Sequence, residues 1–227
     1  MIRINQIKLS VFETGTDKKR EYELISKKAA HMLKCRTKDI RKLSILKRSA
    51  DVRDKNDIQF VYSVDVRLHD SVAGPSAETE NAYIASLKNK NIMQETRKPL
   101  IIKSLPEELS ANIKQPVIIG SGPCGLFAAL VLAESGMKPL ILERGQNEAE
   151  RRKRTELFFE TGKLDPDCNI QFGEGGAGTF SDGKLNTGIK DHGGFISYTL
   201  RTFVRFGADD SILYDQKPHV GTDVLCD

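Results

Sequence analysis

QPVIIGSGPCGLFAALVLAESGMKPLILERG, residues 115–145, is the stretch that decides the fold. It opens with Val117–Ile119, a short all-apolar run typical of a buried parallel strand, because helices cover both faces of such a strand. The glycines that follow have the spacing GxGxxG, at Gly120, Gly122 and Gly125. This pattern, placed between a strand and a helix, predicts a site for the pyrophosphate of a dinucleotide.

Each glycine of this first glycine turn has a separate role. Gly120 permits the tight turn, Gly122 lets the backbone approach a pyrophosphate, and Gly125 lets the helix pack close to the strand. The helix begins near Pro123, and its first N–H groups and positive dipole end attract phosphate without a basic side chain. We therefore place Pro123 in the predicted cofactor site together with the three glycines.

A second strand, Leu140–Leu142, ends at Glu143, about 20 residues after the first glycine, where the fingerprint requires an acid. A carboxylate at this point can accept hydrogen bonds from both ribose hydroxyls, and it disfavours the 2′-phosphate of NADP. FAD and NAD both remain compatible with this part of the sequence. Arg144, the next residue, is included in the predicted cofactor site.

A glycine-rich stretch downstream, DPDCNIQFGEGGAGTFSDGKLNTGIKD (residues 165–191), favours FAD over NAD. A simple NAD domain continues through a crossover helix to a third parallel strand, whereas here the helix-like residues 150–162 lead into a loop. Its glycines let main chain run against a large flat or charged group, with hydroxyls beside it. The residues concerned are Gly173, Gly175, Gly176, Gly178, Thr179 and Ser181. A mobile surface loop is the alternative interpretation.

Residues 1–96 have the pattern of a small domain with the element order βαββα. Period-two alternation predicts three strands, at residues 2–11, 40–45 and 58–68. A phase slip in the first of these indicates a β-bulge. Apolar residues three or four apart predict two helices, one along Tyr22, Ile25, Ala29 and Leu33, and one from a Ser76 cap to Leu87. This order indicates a ferredoxin-like α+β domain.

Residues 97–115 contain Pro99 and Pro106 and are interpreted as a linker, in which the apolar run Leu100–Ile102 could add one last strand. Residues 116–227 are then predicted to form a Rossmann-like FAD-binding domain. The distribution of charge supports this division. Residues 1–110 carry 22 Lys and Arg against 15 Asp and Glu, although the net charge of the whole chain is only +4.

The composition excludes several classes of protein. With 39% hydrophobic and 29% charged residues, the chain fits a folded cytoplasmic protein, and no apolar run is long enough to cross a bilayer. The four cysteines form no CxxC pair, so no metal site is predicted. The basic first domain leaves RNA binding open but disfavoured, because Phe60 and Tyr62 fit a strand core better than a stacking platform. Nothing in the sequence predicts an oligomeric state.

Four segments together resemble a known family. They are VIIGSGPCGLFAALVLAESGMKPLILERG (117–145), NIQFGEGGAGTFSDGKLNTGIKD (169–191), ILYDQKPHVGTDVL (212–225) and ILKRSADVRDKNDIQFVYSVDV (45–66). The chain resembles an uncharacterised family of FAD-dependent dehydrogenases related to the HI0933-like flavoproteins. One departure is Cys124, where alanine is usual in the family.

The resemblance implies FAD as the bound cofactor. It implies that the first glycine turn and Glu143 hold the ADP half, and that the second glycine loop, Gly173–Lys184, lies near the flavin. Members of this family are longer, so the chain is expected to be an N-terminal portion with an incomplete Rossmann-like domain. The implied function is a flavin-dependent oxidoreductase of an unidentified small molecule. An NAD-dependent dehydrogenase and a non-catalytic nucleotide- or RNA-binding module remain as alternatives.

Catalytic residues are only weakly marked. Lys184 is a candidate cation for charge that develops on the flavin, with a solvated lysine as the alternative. His219 and His192 could act as acid or base, and His219 ranks first because it lies in a family-like stretch. Asp182 could orient Lys184 or cap a turn.

Overall fold

The computed structural model describes residues 1–15, 17–96, 100–106, 108–109 and 113–226. The chain has a mixed α/β fold that divides into two compact units. The first unit comprises residues 1–98 and 210–218, and the second comprises residues 99–209 and 219–227. Unlike the predicted division of the chain, this one places residues 210–218 with the first unit.

In its described residues, the first unit contains a four-stranded sheet and four α-helices. In chain order these are β1 (Ile2–Ser10), α1 (Val11–Thr14), α2 (Lys18–Leu33), β2 (Ile40–Asp51), β3 (Gln59–Leu68), α3 (Asp70–Ala73), α4 (Ala77–Leu87) and β4 (Ile92–Gln94). The strand order is β2-β3-β1-β4, and each neighbouring pair is antiparallel. The predicted βαββα order is therefore present, with one further strand and two single-turn helices.

The predicted bulge in β1 is confirmed. Ile4 pairs with Val64 of β3 and Ile7 with Tyr62, so two residues of β1 lie opposite one residue of β3, and β1 has one extra residue. Gln6, inside the bulge, has φ of 62°. The bulge returns Ile7 to the same face of the sheet as Ile4, and both side chains are buried.

One face of this sheet carries the hydrophobic core. Alternating residues of β1 and β3 pack there against the apolar stripe of α2, which includes Ile25, Ala29 and Leu33. Tyr22, predicted to belong to that stripe, is 45% exposed instead, and its hydroxyl donates to the carbonyl of Leu43. Away from the apolar core, Arg3 of β1 forms two hydrogen bonds of 2.9 Å with its cross-strand neighbour Asp65.

The end of this unit differs from the sequence prediction. Ser76 caps α4 as predicted, because its hydroxyl accepts from the N–H of Thr79 at 3.2 Å. The last strand, however, is β4 and not the apolar run Leu100–Ile102, which has no regular secondary structure. A short turn after Lys88 brings β4 directly alongside β1, so the edge that the later segment would have used is already paired. Residues 97–99, 107 and 110–112 of the predicted linker lie outside the described residues.

Residues 210–218, which we call the strap, lie against β2. The N–H of Arg48 donates to the carbonyl of Tyr214 at 2.7 Å, in a parallel bridge between Arg48 and Asp215. The Arg48 guanidinium also donates to both carboxylate oxygens of Asp215, at 2.8 and 3.1 Å. It lies between the rings of Phe60 and Tyr214 and donates on its other side to Glu21. The sequence pattern gave no sign of this strap.

The second unit is built around two parallel strands. The elements described in full are β5 (Val117–Ile119), α5 (Pro123–Glu134), β6 (Leu140–Leu142), α6 (Glu148–Thr161), α7 (Phe195–Arg205) and α8 (Thr222–Cys226), with a 3-10 helix at Gly176–Phe180. β5 pairs with β6 in parallel, so the predicted strand, turn, helix and strand are confirmed. No helix in the described part of the chain is both long and apolar enough to cross a membrane.

Apolar side chains on one face of this small sheet are exposed. Val117 and Ile119 of β5 are 54% and 79% exposed, and their partners Leu140 and Leu142 of β6 are 43% and 49% exposed. On the other face, Ile118 lies against α5 near Gly125. Parallel strands are normally covered on both faces, so this arrangement leaves one face without its usual layer within the described residues.

The strap predicts an unequal effect of two similar substitutions. Asp215→Asn removes the charge from a half-buried, two-point contact with Arg48 and should lower the free energy of unfolding by about 1 to 2 kcal/mol. Asp210→Asn, in the same strap, affects a pair with Lys18 whose side chains are 56% and 64% exposed, and should cost less than about 0.5 kcal/mol. Urea denaturation of both variants measures the difference. Equal midpoints would contradict the role of Asp215.

Candidate dinucleotide-binding site

The first glycine turn has the geometry that its sequence predicts. Gly120 has φ of 99°, a conformation that favours glycine, and its N–H donates to the carbonyl of Leu142 at 2.7 Å. α5 then begins with Gly122 as N-cap and Pro123 in the first helical position. Proline suits this position because its missing N–H would have no partner inside the helix. The remaining N–H groups of the first turn are available to an anion.

Gly122 and Gly125 differ in the space around them. A Cβ built on Gly125 would lie 2.0 Å from the carbonyl oxygen of Gly120, so only glycine allows the helix to lie this close to the turn. A Cβ built on Gly122 would meet no heavy atom within 4 Å. The space beside Gly122 is therefore open to a ligand, whereas the space beside Gly125 is filled by the fold.

Glu143 joins three segments of the chain. One carboxylate oxygen accepts from the N–H of Ser121 at 2.6 Å and from its hydroxyl at 3.0 Å. The other accepts from the N–H groups of Gly145 at 2.9 Å and Gly173 at 3.0 Å. These bonds, those from the Gly145 and Ser121 N–H groups above all, favour the charged form and lower the pKa of Glu143 to about 2. An ionised carboxylate has about four acceptor positions, and all four are used.

The second glycine loop lies directly on the first glycine turn. The N–H of Gly175 donates to the carbonyl of Ser121 at 2.9 Å. A Cβ on Gly176 would lie 3.1 Å from Pro123 Cδ, and a Cβ on Gly145 would lie 2.6 Å from the Cα of Gly173. The two glycine-rich segments, far apart in sequence, thus form one site whose close contacts tolerate no larger residue.

The side chain of Arg151 packs against the second glycine loop and hydrogen-bonds to it. In the sequence, the run Arg151–Arg154 is interleaved with Glu148, Glu150 and Glu156, a pattern that predicts a solvated helix face. This prediction is wrong for Arg151, whose side chain is 0% exposed. Its guanidinium donates to the carbonyls of Glu174 and Gly176 and to the hydroxyl of Thr179. It also reaches the carbonyls of Asn169 and Ile170 and lies 4.9 Å from the centre of the Phe180 ring. Arg152 and Arg154, by contrast, form the exposed pairs with Glu148 and Glu150 that the charge pattern predicts.

The hydroxyls of the second glycine loop hydrogen-bond within the loop. Thr179 donates to the carbonyl of Gly176 at 2.9 Å, and Ser181 donates to that of Gly178 at 2.9 Å. Arg144, exposed beside Glu143, places its guanidinium 4.8 Å from the centre of the Phe172 ring. Gly178 is the least crowded glycine of the loop, because its nearest neighbour to an added Cβ is Leu225 at 3.9 Å.

The candidate catalytic residues come together only in part. Lys184 Nζ lies 2.6 Å from the carboxylate of Asp182, and both side chains are more than half exposed. This pairing raises the pKa of Lys184 and lowers that of Asp182. An antiparallel backbone bridge joins Lys184 to His219, whereas His192 is exposed in a separate loop before α7. Cys124 is exposed in the first turn of α5.

Sequence reasoning missed two residues of this site. Ser121 is the x of GxG, a position with no residue preference in the motif, yet it is 7% exposed and supplies two donors to Glu143. Arg151 lies in a run of charged residues, so the sequence pattern does not distinguish it from its neighbours. The available signal was its position on α6: Arg151 and Thr155 are four residues apart and so lie on the same side of the helix, the side that is buried.

Comparisons with known proteins agree with this geometry. Residues 114–158 match the model of an FAD-binding domain, and this stretch spans β5, α5, β6 and most of α6. Residues 1–67 match a domain of unknown function, DUF8436. The chain is 41% identical over 225 residues to an uncharacterized protein of Clostridium beijerinckii. That alignment covers 99% of this chain and 38% of the relative, so the chain spans well under half the length of the relative.

A pair of alanine substitutions separates folding from binding at the first glycine turn. Gly125→Ala places a methyl group against the Gly120 carbonyl and should destabilise the second unit by about 2 kcal/mol. Gly122→Ala meets open space and should leave the fold intact, while its methyl group blocks the approach of a pyrophosphate and weakens FAD binding at least tenfold. Thermal melting and flavin fluorescence titration measure the two effects. A Gly122→Ala protein that binds FAD normally would contradict this placement.

The hydrogen bonds of Glu143 predict a specific pH dependence. Its pKa is about 2 in the folded chain and about 4.3 in an unfolded one. The lowered folded value means that the stabilisation is fully present above about pH 4.3 and is lost as the pH falls toward 2. Glu143→Gln should therefore be less stable than the wild type at pH 7, and the difference should shrink between pH 4.3 and 2. Urea midpoints across this range provide the measurement, and a constant difference would rule out the ionised carboxylate as the cause.

Proposed function

We propose that this chain is part of an FAD-dependent oxidoreductase that acts on a small molecule. The observation that carries the proposal is the joining of two glycine-rich segments by Glu143, with the second glycine loop packed on the first glycine turn. A simple NAD site needs only the first of these segments. The match of residues 114–158 to an FAD-binding domain supports the same cofactor.

The residues fit the ADP half of FAD at one clear point. The open space beside Gly122 and the N-terminus of α5 together form a cradle for a pyrophosphate, and an added Cβ would intrude on it. In this proposal Gly120, Gly122, Pro123 and Gly125 hold the pyrophosphate. Arg144 lies next to Glu143 at the adjoining end of β6 and belongs to the same half of the site.

The ribose requires an exchange at Glu143. All four acceptor positions of the carboxylate are used by protein donors, so a ribose hydroxyl must replace one of them. The Ser121 hydroxyl is the donor best suited to leave, because it can rotate, whereas the three N–H groups are fixed by the backbone. We infer that the Ser121 hydroxyl occupies the ribose position until the cofactor binds.

The second glycine loop is assigned to the flavin half, with Gly175, Gly176, Gly178, Thr179 and Ser181 beside it. FAD, when bound, supplies the two-electron chemistry of an oxidoreductase. The chain contributes positioning and charge: Lys184, held by Asp182, keeps a raised pKa and so remains a cation at neutral pH. His219, on the backbone bridged to Lys184, is the candidate acid or base.

We further propose that additional polypeptide completes the second unit as a Rossmann-like domain. The exposed apolar face of β5 and β6 supports this, since such a face is normally covered. An apolar cavity of about 370 Å³, lined by Leu126 and Phe127 of α5 and by Phe203 of α7, supports it too. So does a relative of which the chain spans 38%. The strand order of the first unit supports a ferredoxin-like assignment for residues 1–96, followed by the linker and the FAD-binding domain.

The test is direct measurement of cofactor preference. Purified protein is titrated with FAD, NAD and NADP, with flavin fluorescence and equilibrium dialysis as readouts and Gly122→Ala as the control for binding elsewhere. We expect FAD to bind at least about tenfold more tightly than NAD, a difference of about 1.4 kcal/mol, and NADP to bind most weakly. Protein that takes up no FAD would overturn the proposal, and preferential binding of NAD would favour the dehydrogenase alternative.

A further inference from the structure

Arg151 has an environment unlike that of the other arginines near the site. It is the largest fully buried side chain among the described residues. Its acceptors are main-chain carbonyls and one hydroxyl from residues 169–179, the second glycine loop and its entry. Burial of a guanidinium is costly, and these acceptors compensate for the lost water. The arrangement therefore specifies one conformation of a segment that its glycines would otherwise leave free.

The space around Gly173 shows how closely Arg151 approaches the loop. A Cβ built on Gly173 would lie 2.4 Å from Arg151 Cδ, and Gly173 itself has φ of 101°. The Phe180 ring covers the guanidinium at 4.9 Å, at the end of the 3-10 helix Gly176–Phe180. Arg151 thus contacts the second glycine loop from Gly173 to Phe180. These hydrogen bonds and the ring contact go to residues 169–180.

We propose that Arg151 is the positioning residue that holds the second glycine loop in its cofactor-binding conformation, so that binding of the flavin half of FAD depends on it far more than binding of the ADP half does. The inference rests on the proposed function for the identity of the ligand. Its physical basis is preorganisation. If only a fraction of the molecules has the loop in place, the apparent dissociation constant for FAD rises by the inverse of that fraction.

The experiment uses the full chain with three substitutions. Arg151→Met removes the donors and keeps an unbranched side chain of comparable length. Arg151→Lys keeps the charge but loses the planar fork that reaches several carbonyls at once. Arg152→Met is the matched control, because Arg152 is the next residue of α6 and its side chain is 51% exposed. Each protein is titrated with FAD and with ADP, and thermal melting checks that the variants fold.

A second readout needs no cofactor. Glu174 lies in the second glycine loop, its carbonyl accepts from Arg151, and its carboxylate accepts from the N–H of Glu148. Cleavage after Glu174 by a glutamate-specific protease, located by mass spectrometry, reports how often the loop opens. We expect Arg151→Met to be cleaved at Glu174 at least tenfold faster than the wild type, and Arg152→Met to be cleaved at the wild-type rate.

For binding, we expect Arg151→Met to weaken FAD at least tenfold while ADP changes less than twofold, with Arg151→Lys between it and the wild type. Equal losses of FAD and ADP, or unchanged cleavage at Glu174, would overturn the role of Arg151. Should Arg151→Met fail to fold, the same comparison is made with Arg151→Lys. Failure of the proposed function looks different, because the wild type itself would then bind no FAD while the cleavage rates still respond to Arg151.

Discussion

The second unit depends on the contact between the buried guanidinium of Arg151 and the main-chain carbonyls that surround it. In most domains the interior is apolar and backbone groups pair in sheets or helices. Here the described apolar side chains of β5 and β6 point largely to solvent, and the largest buried side chain is charged. The loop that Arg151 holds has one regular element, the 3-10 helix Gly176–Phe180. The guanidinium of Arg151 therefore satisfies main-chain carbonyls that a neighbouring strand would satisfy in a sheet.

Glu143 complements Arg151 with the opposite charge and the opposite hydrogen-bonding role. Arg151 donates to carbonyl groups of the second glycine loop, and Glu143 accepts from N–H groups of that loop and of the first glycine turn. Between them they satisfy both kinds of backbone group in a region where glycine dominates. This explains why the glycines are tolerated. Gly125, Gly145 and Gly173 each remove a side chain at a close approach, and the two charged residues supply the order that glycine lacks.

Much of the architecture follows from local patterns in the sequence. The sequence predicts the strands and helices of the first unit, together with the bulge before Ile7 and the cap at Ser76. It does so because alternation, phase and capping are local properties. The sequence also predicts the first glycine turn, because each of its glycines is required for a separate steric reason. β4 was missed because three residues are too few to show an alternation, and its place is fixed by pairing with β1.

What the sequence concealed depends on contacts between distant segments. Nothing local distinguishes Arg151 from Arg152, since the difference lies in which side of α6 the second glycine loop covers. The sequence likewise gives no sign of the role of Ser121, which depends on its hydrogen bonds to Glu143. The strap escaped for the same reason, because its attachment through Asp215 needs an arginine from a strand more than 160 residues earlier in the chain.

That strap also gives the chain an order of assembly. As the protein leaves the ribosome, β2 is complete long before residues 210–218 exist, and at the usual 5 to 20 residues per second the interval is on the order of ten seconds. Throughout it, β2 is an unprotected edge strand, the kind of surface that recruits strands from other nascent chains. Lys42 and Lys47 of β2 place charge along that edge. Charged side chains on an edge strand disfavour pairing with other chains, and these two lysines are present before Arg48 can meet Asp215.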